Sequence, residues 1–178
     1  VQVATINQTA VGESRTTLFR GMSASPSAGA ITIDFAGTSQ SRCGWIVDQF
    51  AGIDTGGTNG SAAVVQFVTG STVATDAVAL TVTLSAFAKT TNATYGSIQA
   101  SRDAMTNVSP ATGFTEIADI DIGPSADADI QMEANWLSSA DTTVDWTWNG
   151  SPTTYWGLGI SIEIAEAATA FVPKIMFF

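Results

Sequence analysis

The chain has 178 residues, 45% of them hydrophobic and only 12% charged, so it can fill the core of one domain and is not a disordered segment. Sixteen acidic residues against six basic ones leave a net charge of −10, which argues against nucleic acid and against an anionic membrane surface as partners. The absence of histidine removes Ser-His-Asp and Cys-His nucleophile activation and histidine zinc sites, and the single cysteine, Cys43, closes no internal disulfide. The sequence opens on Val1 rather than Met and is expected to be a fragment or a processed chain.

Residues 1–14 are weakly patterned and read as an N-terminal arm or edge strand. Beyond them an alternation of period two recurs, the pattern of half-buried strands. Ile31, Ile33 and Phe35 alternate with Thr32 and Asp34; Leu80, Val82 and Leu84 with Thr81, Thr83 and Ser85. The same holds for Ile130, Met132 and Ala134 against Gln131, Glu133 and Asn135, and for Val144, Trp146 and Trp148 against Thr143, Asp145 and Thr147. Leu158, Ile160, Ile162 and Ile164 alternate with Gly157, Gly159, Ser161 and Glu163. Turn-forming clusters separate these runs, among them Asp54–Gly60, Pro110–Gly113 and Asn149–Pro152. The expected fold is all-β, an antiparallel β-sandwich of the jelly-roll kind with about nine or ten strands, spanning residues 15–166. Residues 167–178 follow as an apolar tail, with Pro173 restricting it to an edge or an extended arm.

Several residue groups are candidates for chemistry. Glycoside hydrolysis needs two facing carboxyl groups, and the nearest approaches are Glu116 with Asp119 or Asp121, and Glu163 with Glu166. Their spacing fits outward-facing acids that keep a sheet edge soluble better than it fits a catalytic pair, so no catalytic residue is assigned. Asp119, Asp121, Asp127 and Asp129 supply hard oxygen ligands at alternate positions, the donor type that calcium takes, but no EF-hand pattern accompanies them. Of the five tryptophans, most are expected in the core; Tyr95, Tyr155 and Trp156 are the candidates for stacking on a glycan. Phe171, Val172, Ile175, Met176, Phe177 and Phe178 are the candidate partner-docking residues, since apolar side chains in a tail favour burial against a neighbour.

Five stretches carry a likeness to known proteins: Thr17–Met22, Ala28–Phe35, Cys43–Thr55, Gly113–Ile117 and Trp156–Ile164. Their order resembles a jelly-roll domain that recurs in tailed-phage virion structural proteins and related bacterial surface proteins. That resemblance implies a sandwich used for structure or display at the virion surface, with coat or tail subunits as partners, and no catalytic residues. It further implies symmetric self-association into a homo-oligomer, a trimer being one option. A capsid decoration protein or a head or tail appendage domain would meet that description; a carbohydrate-binding module on a virion or cell surface is the alternative.

Overall fold

The computed structural model describes residues 1–8, 14–22, 30–72, 77–101, 108–123, 130–148 and 156–167. Among them lie ten strands: β1 (Gln2–Gln8), β2 (Ser14–Phe19), β3 (Val64–Ser71), β4 (Ala79–Thr83), β5 (Ala93–Ser101), β6 (Val108–Pro110), β7 (Thr115–Asp121), β8 (Ile130–Leu137), β9 (Thr143–Trp148) and β10 (Trp156–Ile164). A large sheet has the order β3-β10-β5-β8-β7, a small sheet the order β4-β9-β6, and β1-β2 form a separate hairpin. Every strand pairing is antiparallel.

Counting from β3, the first strand pairs with the eighth, the eighth with the third and the third with the sixth. On the opposing sheet the second pairs with the seventh, and the seventh with the fourth. This is the wrapping of a jelly roll, so the expected fold class is the one observed. A single strand departs from the pattern. β7 hydrogen-bonds β8 at the edge of the large sheet instead of β6 in the small one. β6 is three residues long and ends in Pro110, which has no N–H to offer a further ladder.

Two aromatic side chains decide how closely the sheets approach. Val144, Trp146 and Trp148 point from β9 onto the large sheet and form one core with Leu80, Val82, Ile98, Ala100 and Val108. The indole of Trp146 needs a flat floor, and glycine supplies it. A Cβ on Gly96 would stand 2.6 Å from Trp146 Cζ2 and 2.7 Å from Val144 Cγ1. On Gly159 it would stand 2.8 Å from Leu80 Cδ2 and 3.1 Å from Trp146 Cζ3. Contacts that short are forbidden to any real side chain, so only glycine at 96 permits this spacing.

The opposite face of the large sheet is covered as well. The β1-β2 hairpin and the extended segment 44–53 lie over it, closing Ala4, Tyr95, Ala134, Ile160, Ile162 and Ile164 beneath Leu18, Ile46, Phe50 and Ile53. Its central strands β10, β5 and β8 are therefore covered on both faces, and one expectation changes for that reason. Gln131, Glu133 and Asn135 on β8, and Ser161 and Glu163 on β10, are all buried, although alternation alone gives them to water. Glu163 is thus not an outward-facing acid. The run Ala30–Phe35, expected to be a strand, joins no ladder among the described residues and is exposed along its length.

Candidate functional site

The carboxyl groups are best taken by strand. β7 is an edge strand, and it carries Glu116, Asp119 and Asp121 into solvent. Register places Glu116 beside Asn135 and Asp119 beside Glu133 on β8. Asp119 titrates above its ordinary range, first because of partial burial and then because of repulsion from Glu116 and Asp121. Among the described residues no three acidic or cysteine side chains converge as metal ligands, and Asp119 and Asp121 lie along an exposed acidic edge. Asp127 and Asp129 lie outside the described residues.

Glu133 is completely buried and faces the interior of the sandwich. Burial pushes its carboxyl up to about 8; the hydrogen bond from Asn135 Nδ2 at 3.1 Å lowers it, and the charges of Glu116 and Asp119 add to the rise. Its Oε2 has no hydrogen-bond partner among the described residues. A carboxyl so enclosed cannot touch a sugar oxygen, which removes it as partner for Glu116 or Asp119 in hydrolysis. It acts on stability instead. Between the unfolded value of 4.5 and about 8 the folded chain keeps a proton that the unfolded chain has lost. Stability therefore falls as pH rises through that window and levels off above it. Glu133→Gln keeps the shape and has no proton to lose. It is expected to be about 2 kcal/mol more stable than the parent at pH 8 and equal to it at pH 4, as urea titrations at the two pH values would read.

Glu163 and Glu166 do not form a pair. Glu163 is buried and accepts hydrogen bonds from Gln66 Nε2 at 2.6 Å, Asn92 Nδ2 at 2.6 Å and the Ala88 N–H at 3.0 Å. Glu166 is exposed beyond the end of β10, where it bridges to Ile53.

The aromatic candidates also divide by burial. Trp146 and Trp148 are core residues, as the sequence reading has it. Tyr95 is buried, its hydroxyl donating to Asp48 Oδ2 at 2.7 Å, and the Phe50 ring meets it edge-on with centroids 5.7 Å apart. A ring held between a sheet and segment 44–53 has no free face for a sugar, so Tyr95 is not a stacking residue. Its phenol titrates well above the usual range, through burial first and the Asp48 charge second. Trp156 is half-buried at the start of β10. Tyr155 lies outside the described residues, as do Phe171, Val172, Ile175, Met176, Phe177 and Phe178.

The feature that the sequence reading missed is an exposed apolar arm. Residues 30–40 are exposed throughout, with Ile31 at 61%, Ile33 at 43% and Phe35 at 41%. Ala36 and Gly37 have φ of 53° and 80°, and the Thr38 N–H donates to the Phe35 carbonyl at 3.1 Å. Two positive φ values closed by that bond make a type I′ turn, the turn that joins paired strands in a hairpin. Yet the segments on either side form no ladder among the described residues, and a Cβ on Gly37 would meet no atom within 4 Å. Gly37, two residues after the apolar run, was the available signal for a hairpin. Further along, segment 44–53 turns Ile46, Asp48 and Phe50 inward and leaves Trp45 and Val47 exposed at 54% and 65%.

Fold and surface together define a jelly-roll β-sandwich in which Glu133 and Glu163 are buried, Glu116, Asp119 and Asp121 line an edge strand, and an exposed apolar segment joins no ladder among the described residues. Compared with family models, curated proteins and solved structures, the chain matches none.

Proposed function

We propose that the chain is a non-enzymatic structural module of a virion surface, a capsid decoration protein or a head or tail appendage domain, that binds neighbouring coat or tail subunits. The observation that carries this reading is the apolar arm: Ile31, Ile33 and Phe35 stand in water beside a finished hairpin turn. Exposed apolar area of this kind marks a surface that is covered in use. Placement on a virion, outside the cell, follows the resemblance of Thr17–Met22, Cys43–Thr55 and Trp156–Ile164 to tailed-phage virion domains. Glu133 is buried and Glu163 holds three hydrogen bonds, so these two carboxyl groups serve the fold.

Residues Phe171–Phe178 are proposed as a second docking element, since their sequence adds six apolar side chains and a proline that cannot donate within a central ladder. Imaging of native particles is the test. The expected result is repeated copies of this sandwich on a capsid or tail lattice, and loss of attachment on deleting 168–178 while the domain keeps its melting transition. A particle map without the sandwich overturns the reading. Glycan binding is the second reading, favoured by the exposed ring of Trp45. Binding on a glycan array that disappears in Trp45→Ala would move the assignment there.

A further inference from the structure

We infer that the apolar arm is a donor strand for a second copy of this chain, adding along the open edge of β3 and extending its large sheet. This deepens the proposed assembly role and rests on it for biological setting only.

Of the edge strands of the two sandwich sheets, β7 and β6 are blocked to such pairing and β4 exposes no large apolar side chain. β7 bears Glu116, Asp119 and Asp121; β6 ends in Pro110; β4 presents the exposed Ala79, Thr81 and Thr83. Charges and proline are the ordinary means of blocking edge pairing. β3 has no charge in its eight residues, and it exposes Val65 and Phe67 at 45% and 50%. It is laddered to β10 on one side and to nothing on the other among the described residues. A groove of about 400 Å³ runs beside it, lined by Gln2, Val3, Arg20, Val64, Val65 and Phe67.

Donor and acceptor fit one another in pattern and in charge. The arm repeats Ile31, Ile33 and Phe35 at period two, and Val65 and Phe67 share that period on β3, so pairing lays them side by side on one face. The donor run 30–35 holds one charge, Asp34, and the groove holds one, Arg20. In a chain of net charge −10 two copies repel, and a contact that brings one acid to the groove's only base is the arrangement that survives. A type I′ turn already set in place removes part of the ordering cost of the arm. Reciprocal exchange closes a dimer and sequential exchange a ring; both use the same donor and acceptor.

The test is complementation, read by sedimentation of the full chain from about 1 μM to about 100 μM. The parent should associate with increasing concentration. Ile33→Lys removes the donor and Phe67→Lys the acceptor; both side chains are exposed, so each variant should keep the parent's melting transition and run as a monomer. Mixing the two should restore a 1:1 heterodimer, because one chain still donates and the other still accepts. A parent that stays monomeric at about 100 μM, or variants that associate as before, or a mixture that stays monomeric, would each overturn the inference. Attachment to particles by a monomeric parent would leave the assembly role standing with a foreign strand as occupant. Association that disappears only when 168–178 is deleted would give the contact to the tail instead.

Discussion

Trp146→Ala is expected to lower the unfolding free energy by about 4 kcal/mol, read as a shift of the urea midpoint at unchanged slope. The side chain is completely buried and sits where the small sheet meets the glycines of β5 and β10. Its removal leaves a void that glycine cannot fill from below, so collapse of the site is poor. The indole Nε1 has no hydrogen-bond partner among the described residues, and the loss is therefore one of packing. Trp146→Phe, which keeps an aromatic plate, should cost only about 1 kcal/mol. The converse change, Gly96→Ala, drives a methyl to 2.6 Å from Trp146 Cζ2 and should cost about 3 kcal/mol. Because the two changes share one contact, the double variant should be more stable than the sum of the single losses predicts. Additive losses would mean that the glycine and the indole do not meet.

How far the sequence discloses this molecule depends on what covers each strand. β4 and β9 are readable because the small sheet has one wet face: Leu80 and Val82 go in while Thr81 and Thr83 go out, as alternation predicts. β8 and β10 belong to a sheet covered twice, and there the period still fixes register but no longer tells core from solvent. Glu133 and Glu163 sit at positions that alternation assigns to water, yet both are dry, Glu163 because the connection from β4 to β5 folds onto it. The arm shows the reverse failure. Ile31, Ile33 and Phe35 carry a strand pattern as clean as that of β9, yet no strand of the same chain pairs with them among the described residues. Local pattern records that a segment favours pairing; it does not record whether the partner lies in the same chain. The acidic edge of β7 was legible as solubilising, whereas the burial of Tyr95 depended on segment 44–53 folding across the sheet, a contact with no local signature.

The two buried glutamates should respond oppositely to one substitution. Glu133→Gln is expected to stabilise above neutral pH, whereas Glu163→Gln should cost about 3 kcal/mol. The difference lies in the partners. Glu163 meets three donors and no acceptor: Gln66 Nε2 on one oxygen, Asn92 Nδ2 and the Ala88 N–H on the other. An amide in its place must turn an NH₂ group toward one of those donors. The neighbours cannot rotate to receive it. Gln66 Oε1 already accepts from the Ser85 N–H at 3.0 Å, and Asn92 Oδ1 from the Glu166 N–H at 3.1 Å. Either flip trades one buried unsatisfied donor for another, and each costs about 1–3 kcal/mol. The loss should also be local. The connection from β4 to β5 is tied at Ser85, Ala88 and Asn92 through this one carboxyl, so amide hydrogen exchange at those three positions should quicken in Glu163→Gln before the sheets open. Protection unchanged at Ala88 would show that the connection is held by other means, and that Glu163 is merely enclosed.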